Sequence, residues 1–188
     1  MSPGDLLADR FEIEHLAGSG GSGRVYRARD RQTGARVAVK VLHGAAMEGK
    51  TERFAREARV LSELSHPGIV RYIAHGTTAE GEPYLAMEWL EGETLRDRLA
   101  RRELTAKEAV ELGRRVAEAL GAMHRRGIVH RDLKPGNLYL CGGALEAIKI
   151  IDFGIARLRS IDTEITHTGM MLGTPGYMAP EQTLGAKD

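Results

Sequence analysis

The segment from Ile128 to Leu140, IVHRDLKPGNLYL, sets two apolar runs around a crowd of reactive side chains. His130, Arg131, Asp132, Lys134 and Asn137 fall within eight positions. A carboxylate such as Asp132 can take a proton from an incoming hydroxyl, and a cation such as Lys134 can neutralise charge on a phosphoryl group in transit. Asn137 can bind a metal ion through its amide oxygen, and Asp152, which closes the apolar run IKIID, suits magnesium. Each residue alone has a plainer account, such as a turn-forming aspartate or a solvated lysine. As an ordered set they are parts that phosphoryl transfer requires: metal ligands, a cation, and a base that orients the hydroxyl.

Two features upstream supply groups that hold phosphates. Gly18, Gly20 and Gly23 in GSGGSG fit G-x-G-x-x-G. The pattern alone is weak, because it marks both dinucleotide sites and ordinary hairpins. Context separates the two. A dinucleotide fingerprint opens a helix, whereas here RVYRARD follows with strand alternation. A glycine hairpin between strands can lay bare backbone N–H groups over phosphates. Lys40 sits inside VAVKVL. Alternation that points a lone lysine at solvent is the simpler account, since burial is costly without a partner. Glu57, on the next helical segment, is the natural partner, and a lysine so held can meet nucleotide phosphates.

The elements that position these residues follow from periodicity. Phe11–Ala17, Arg24–Arg29 and Arg36–Leu42 read as strands, with a turn at Thr33-Gly34. Lys50–Leu64 is helical, with Phe54, Ala58, Leu61 and Leu64 on one face. Short strands follow near Ile69–Ala74 and Tyr84–Trp89. Thr94 caps a short helix through Arg101. Thr105 and Glu108 form a capping box for a longer helix that ends at Arg125-Arg126-Gly127. Along it Val110, Gly113, Val116, Ala117, Leu120 and Met123 fall near one face. Two more strands, around Leu138–Leu140 and Ala147–Ile151, flank a turn at Cys141–Gly143.

The global numbers remove several classes. The chain has 188 residues, 42% of them hydrophobic and 28% charged, with a net charge of +1. That is ordinary globular composition, and nothing in the balance argues for nucleic acid or a membrane surface. One cysteine, Cys141, excludes an internal disulfide. No run resembles a signal peptide or a membrane span. The expected address is the cytoplasm.

Taken together, GSGGSGRV, VAVK, Glu57 in FAREA, HRDLKPGN, DFG at Asp152–Gly154 and APE at Ala179–Glu181 resemble the eukaryotic-type protein kinases, most of all the bacterial serine/threonine kinases. The resemblance implies an α+β, bilobal fold: residues 1–87 as an N-lobe with an antiparallel sheet and one helix, 88–92 as a hinge, and 93–188 as a partial, mainly helical C-lobe. It implies ATP and Mg²⁺ as cofactors and proteins as substrates. A second kinase is a candidate partner, as a dimer. Asp132 would be the catalytic base, Lys134 its neighbour suited to Ser/Thr specificity, and Lys40 with Glu57 the ion pair of the active state. Asn137 and Asp152 would hold Mg²⁺. Met87 would be the gatekeeper, Glu88–Leu90 the hinge backbone that meets adenine, Val25 and Ala38 the cover over the ring, and Tyr139 its floor. Arg131 would pair with a phosphate on Thr166 or Thr168.

One departure from the family shapes a further expectation. The sequence stops at Asp188, soon after APE, where kinase domains continue with more helices. The C-lobe is therefore expected to be truncated. An alternative function is also raised: a catalytically weak or inactive remnant that binds nucleotide or regulates a partner.

Overall fold

The computed structural model describes residues 1–21, 23–42, 50–152, 175–178 and 180. Two compact units emerge: Met1–His66 with Val70–Glu91, and Pro67–Ile69 with Gly92–Asp188.

The first unit is built on a six-stranded antiparallel sheet. Its strands are β1 (Leu6–Leu7), β2 (Phe11–Gly20), β3 (Gly23–Asp30), β4 (Arg36–Val41), β5 (Tyr72–Thr77) and β6 (Pro83–Glu88), in the order β1-β2-β3-β4-β6-β5. Alternation decides what each face carries. Phe11, Ile13, Tyr26, Ala28, Val37, Val39, Val41, Tyr84 and Ala86 form one buried cluster, which Leu7 of β1 closes. Helix α1 (Lys50–Ser62) packs on β5 through the predicted stripe: Phe54, Ala58, Leu61 and, just past the helix, Leu64 are all buried. The Phe54 ring meets His75 of β5 edge-on at 6.1 Å. Asp30, at the end of β3, is only 1% exposed. Arg10 grips it with two hydrogen bonds, Nε to Oδ1 at 2.9 Å and Nη2 to Oδ2 at 2.8 Å. That pairing holds the Asp30 carboxyl down at about 2.

The second unit has a three-stranded sheet, β7 (Gly92–Thr94), β8 (Leu138–Cys141) and β9 (Ile148–Ile150), in that order and antiparallel. Residues 67–69 join it because Ile69 bridges Ile150 and the Ile150 N–H bonds Gly68 O at 2.9 Å. Helix α2 (Leu95–Arg101) starts at Thr94, whose hydroxyl accepts from Asp97 N. Helix α3 (Ala106–His124) starts with the predicted capping box: Thr105 Oγ1 accepts from Glu108 N, and Glu108 Oε2 accepts from Thr105 N. Gly127, in the left-handed region at φ 70°, lies just beyond its end.

The buried face of α3 differs from the predicted one. Ala119, Ala122 and Met123 are buried, with Leu112, Val116 and Leu120 half-buried. Val110 is 73% exposed, and Gly113 and Ala117 also face outward. The stripe is rotated by roughly a quarter turn, at 100° per residue. Small residues such as Ala119 and Ala122 carry little hydropathy signal, yet both are buried on a helix that packs against β9.

Candidate active site

In the first unit, the glycine segment forms the hairpin between β2 and β3, closed by Gly20 opposite Gly23. This sets aside the helix-opening reading of the same pattern. Gly23 is structural: a Cβ there would lie 2.1 Å from Val41 O, at φ 148°. Gly18 and Gly20 have nothing within 4 Å of a Cβ, so their backbone lies bare beside open space. Behind the hairpin, register places the other candidates on the sheet face opposite the core. Val25 pairs with Lys40 and Lys40 with Leu85; Ala38 pairs with Met87. Direct cross-strand partners share a face, so Val25, Ala38, Lys40 and Met87 come together. Lys40 is buried at 5% exposure, so the solvent-facing account of this lysine does not hold. Glu57 belongs to α1, but its side chain lies outside the described part of the structure.

After β6 the chain enters the expected hinge. The Glu88 N–H is committed to Arg71 O at 2.9 Å, and its carboxylate accepts from Arg71 N at 2.8 Å. Both bonds anchor this segment to the stretch before β5.

In the second unit, the loop between α3 and β8 draws Asp132, Lys134 and Asn137 together. Lys134 Nζ donates to Asp132 Oδ2 at 2.8 Å. Asn137 Nδ2 donates to Asp132 O at 2.7 Å and to Oδ2 at 3.1 Å. A 3₁₀ turn, Pro135–Asn137, sets this geometry; proline suits its first position, and the Asn137 N–H bonds Lys134 O at 2.9 Å. Because the Asn137 amide nitrogen serves Asp132, its oxygen is the atom that would bind a cation. Tyr139 lies on β8, half-buried, in register with Thr94 and Lys149.

The same loop is stitched to the end of β9. The Ile151 N–H bonds Asn137 O at 2.9 Å. His130 Nε2 bonds Ile151 O at 3.2 Å, while its Nδ1 accepts from Asp132 N at 3.3 Å. A ring that accepts at Nδ1 and donates at Nε2 is neutral. Burial pushes its pKa below the ordinary histidine value, against the raising pull of Ile151 O and of the Asp132 and Asp152 carboxylates. His130 is 3% exposed and spans from Asp132 to the residue before Asp152. Sequence reasoning gave it no role, although it stands inside the quoted motif; its signal was a titratable residue just after the apolar pair Ile128-Val129. Arg131 and Asp152 both adopt left-handed backbone, at φ 60° and 63°. For non-glycine residues such conformers cost roughly 1 kcal/mol each and gather where surrounding structure enforces them.

The donor set fits Mg²⁺, a hard cation that takes oxygen ligands and relies on few protein groups plus phosphates. Asn137 and Asp152 would supply an amide oxygen and a carboxylate. Among the described residues, no cluster of three or more His, Cys, Asp or Glu forms a site of another kind. The candidate phosphosites Thr166 and Thr168 lie outside the described residues, as do Phe153 and Gly154 of the DFG motif and Ala179 and Glu181 of the APE motif.

Comparison with known proteins places the chain. Residues 11–188 match the protein kinase domain family. The whole chain is 42% identical to serine/threonine-protein kinase pkn2 of Myxococcus xanthus, over 23% of that protein. The DNA damage-responsive serine/threonine-protein kinase RqkA of Deinococcus radiodurans is also 42% identical, over 98% of this chain and 28% of its own length. The crystal structure of the Mycobacterium tuberculosis PknI kinase domain superposes with a TM-score of 0.80 at 27% identity, covering 100% of this chain and 68% of that one. The chain belongs to the protein kinase domain family. The relatives it matches at this identity are named as bacterial serine/threonine kinases, and it spans about a quarter of the length of the two cited.

Proposed function

We propose that this chain transfers the γ-phosphoryl group of ATP to serine or threonine hydroxyls of proteins, itself included. The observation that carries the reading is the convergence of Lys134 Nζ and Asn137 Nδ2 on one carboxylate oxygen of Asp132. This pairing fixes the aim of the Asp132 carboxylate. Asp132 accepts the proton of the attacking Ser or Thr hydroxyl as the new O–P bond forms and the bond to the ADP oxygen breaks. Lys134 offsets charge on the oxygens in transit. Asn137 and Asp152 hold Mg²⁺, while Lys40 and the backbone of Gly18 and Gly20 hold phosphate. Val25, Ala38, Met87 and Leu90 take the adenine, with the Glu88–Leu90 backbone as its polar edge. Bound ATP and Mg²⁺ supply the phosphoryl group and the counter-charge.

Thr166 and Thr168 are proposed acceptor sites. A phosphate there would pair with Arg131 through charge-assisted hydrogen bonds. Among the described residues no helix is long and apolar enough to cross a membrane.

The test is intact mass spectrometry after incubation with Mg²⁺, ATP and a Ser/Thr-rich protein substrate, beside Asp132→Asn. Phosphate gain that falls by roughly 100-fold or more in Asp132→Asn supports the reading. Nucleotide binding by the wild type without transfer to itself or to substrate would overturn it, in favour of a nucleotide-binding regulatory module. Peptide mapping then locates the acceptors.

A further inference from the structure

Strand β2 is interrupted twice below the glycine hairpin. Ile13 pairs with Ala28 and His15 with Arg27, which leaves Glu14 as an extra residue; Leu16 and Gly18 leave Ala17 in the same position. Such bulges break the ladder and re-aim side chains. The ladder between β2 and β3 is thus broken locally at Glu14 and at Ala17. A side-chain bridge crosses the first interruption: Arg27 Nε donates to Glu14 Oε2 at 2.5 Å. Arg27 pairs with Ala38, and Ala38 with Met87, so Arg27 stands on the same sheet face as Val25 and Lys40. Its guanidinium carbon then lies 5.5 Å from the ring centroid of Trp89, just past β6. The Arg27 and Glu14 side chains are 24% and 31% exposed, a partly dry setting in which both the ion pair and the cation–π contact keep strength.

We propose that Glu14, Arg27 and Trp89 form a clasp that fixes the spacing between the glycine hairpin and the segment after β6, and that Arg27 is thereby a positioning residue for the nucleotide. The inference rests on the reading of this sheet face as the ATP site. A clasp of this kind acts on binding more than on chemistry. It holds the two borders of the adenine site in register before the ligand arrives, which lowers the ordering cost of binding.

The experiment measures affinity for a fluorescent ATP analogue with Mg²⁺ by anisotropy in wild type, Arg27→Ala, Trp89→Leu and the double variant. Thermal unfolding controls for folding. Arg27→Ala is expected to weaken binding roughly 3- to 10-fold, and to raise KM for ATP with kcat within about twofold. Trp89→Leu leaves β3 untouched and should have a similar effect, with the double variant little worse than either single one. Trp89 is the sole tryptophan, so its emission in the ligand-free protein should shift in Arg27→Ala and in Glu14→Gln, whereas Arg27→Lys should partly restore binding. Wild-type binding with both single variants within about twofold would overturn the clasp alone. Failure of the wild type to bind nucleotide would overturn the ATP-site reading and this inference together.

Discussion

Replacing Asn137 by aspartate is nearly isosteric and asks one question: does Asp132 depend on a neutral donor at this point? The Asn137 amide nitrogen lies 3.1 Å from Asp132 Oδ2 and 2.7 Å from Asp132 O, in a residue 5% exposed. A carboxylate oxygen in its place would face an anion at that distance, a repulsion of about 5 kcal/mol at an effective dielectric constant near 20. The new carboxyl can escape by holding a proton, which costs about 4 kcal/mol near pH 7 for a group that ionises near 3.9 in the unfolded chain. Lys134, on the same oxygen, offsets part of either route. We therefore expect Asn137→Asp to lose about 2–3 kcal/mol near neutral pH beyond the loss in Asn137→Ala, which removes the same hydrogen bonds without adding charge. The sign of the pH dependence is opposite to that of an ordinary paired aspartate. The folded variant binds more protons than the unfolded chain, so its stability relative to Asn137→Ala falls as pH rises above about 4. Denaturant unfolding of both variants in EDTA, between roughly pH 5 and pH 8, measures the difference. Parallel profiles for the two variants would refute the placement of Asn137 against Asp132.

Three more outcomes follow from the geometry. Burial lowers the pKa of His130 and of His75, so the folded chain binds fewer protons than the unfolded one as pH drops through about 6.5, and stability declines with acid in that window; His130→Gln should flatten part of the slope in pH-resolved denaturation, and an unchanged slope would contradict a buried neutral ring. Arg10→Ala leaves the Asp30 carboxylate, at 1% exposure, with the Gln32 N–H and Thr33 Oγ1 as its remaining partners among the described residues, and should destabilise by about 2–4 kcal/mol in denaturant titrations near neutral pH; the effect should shrink as Asp30 protonates in acid. Gly23→Ala, with its Cβ against Val41 O, should cost about 3 kcal/mol or more, whereas Gly20→Ala should leave the melting temperature nearly unchanged; equal losses would mean that the hairpin is not built around Gly23.

What could be read from the chain alone was local. The capping box at Thr105 and Glu108, the apolar spacing from Phe54 to Leu64, the glycine turn between two alternating segments and the HRDLKPGN loop each declare themselves within a few residues. Their physics is short-range: a cap satisfies its own first turn, and a hairpin closes on its neighbour. The tertiary structure decided what depends on partners distant in sequence. Nothing near Lys40 says whether it faces solvent; the register with Val25 and Leu85 buries it. β7 is three residues long with no pattern of its own, and exists because Gly92, Glu93 and Thr94 meet Cys141, Leu140 and Tyr139. The buried face of α3, a helix that packs against β9, carries Ala119 and Ala122, while the more hydrophobic Val110 is exposed. The role of His130 needed Ile151, and the clasp at Arg27 needed a bulge at Glu14 and a tryptophan sixty-two residues away along the chain. Motifs name the atoms that can do chemistry because side-chain type is written residue by residue; their burial, protonation and aim are properties of neighbours that only folding brings within reach.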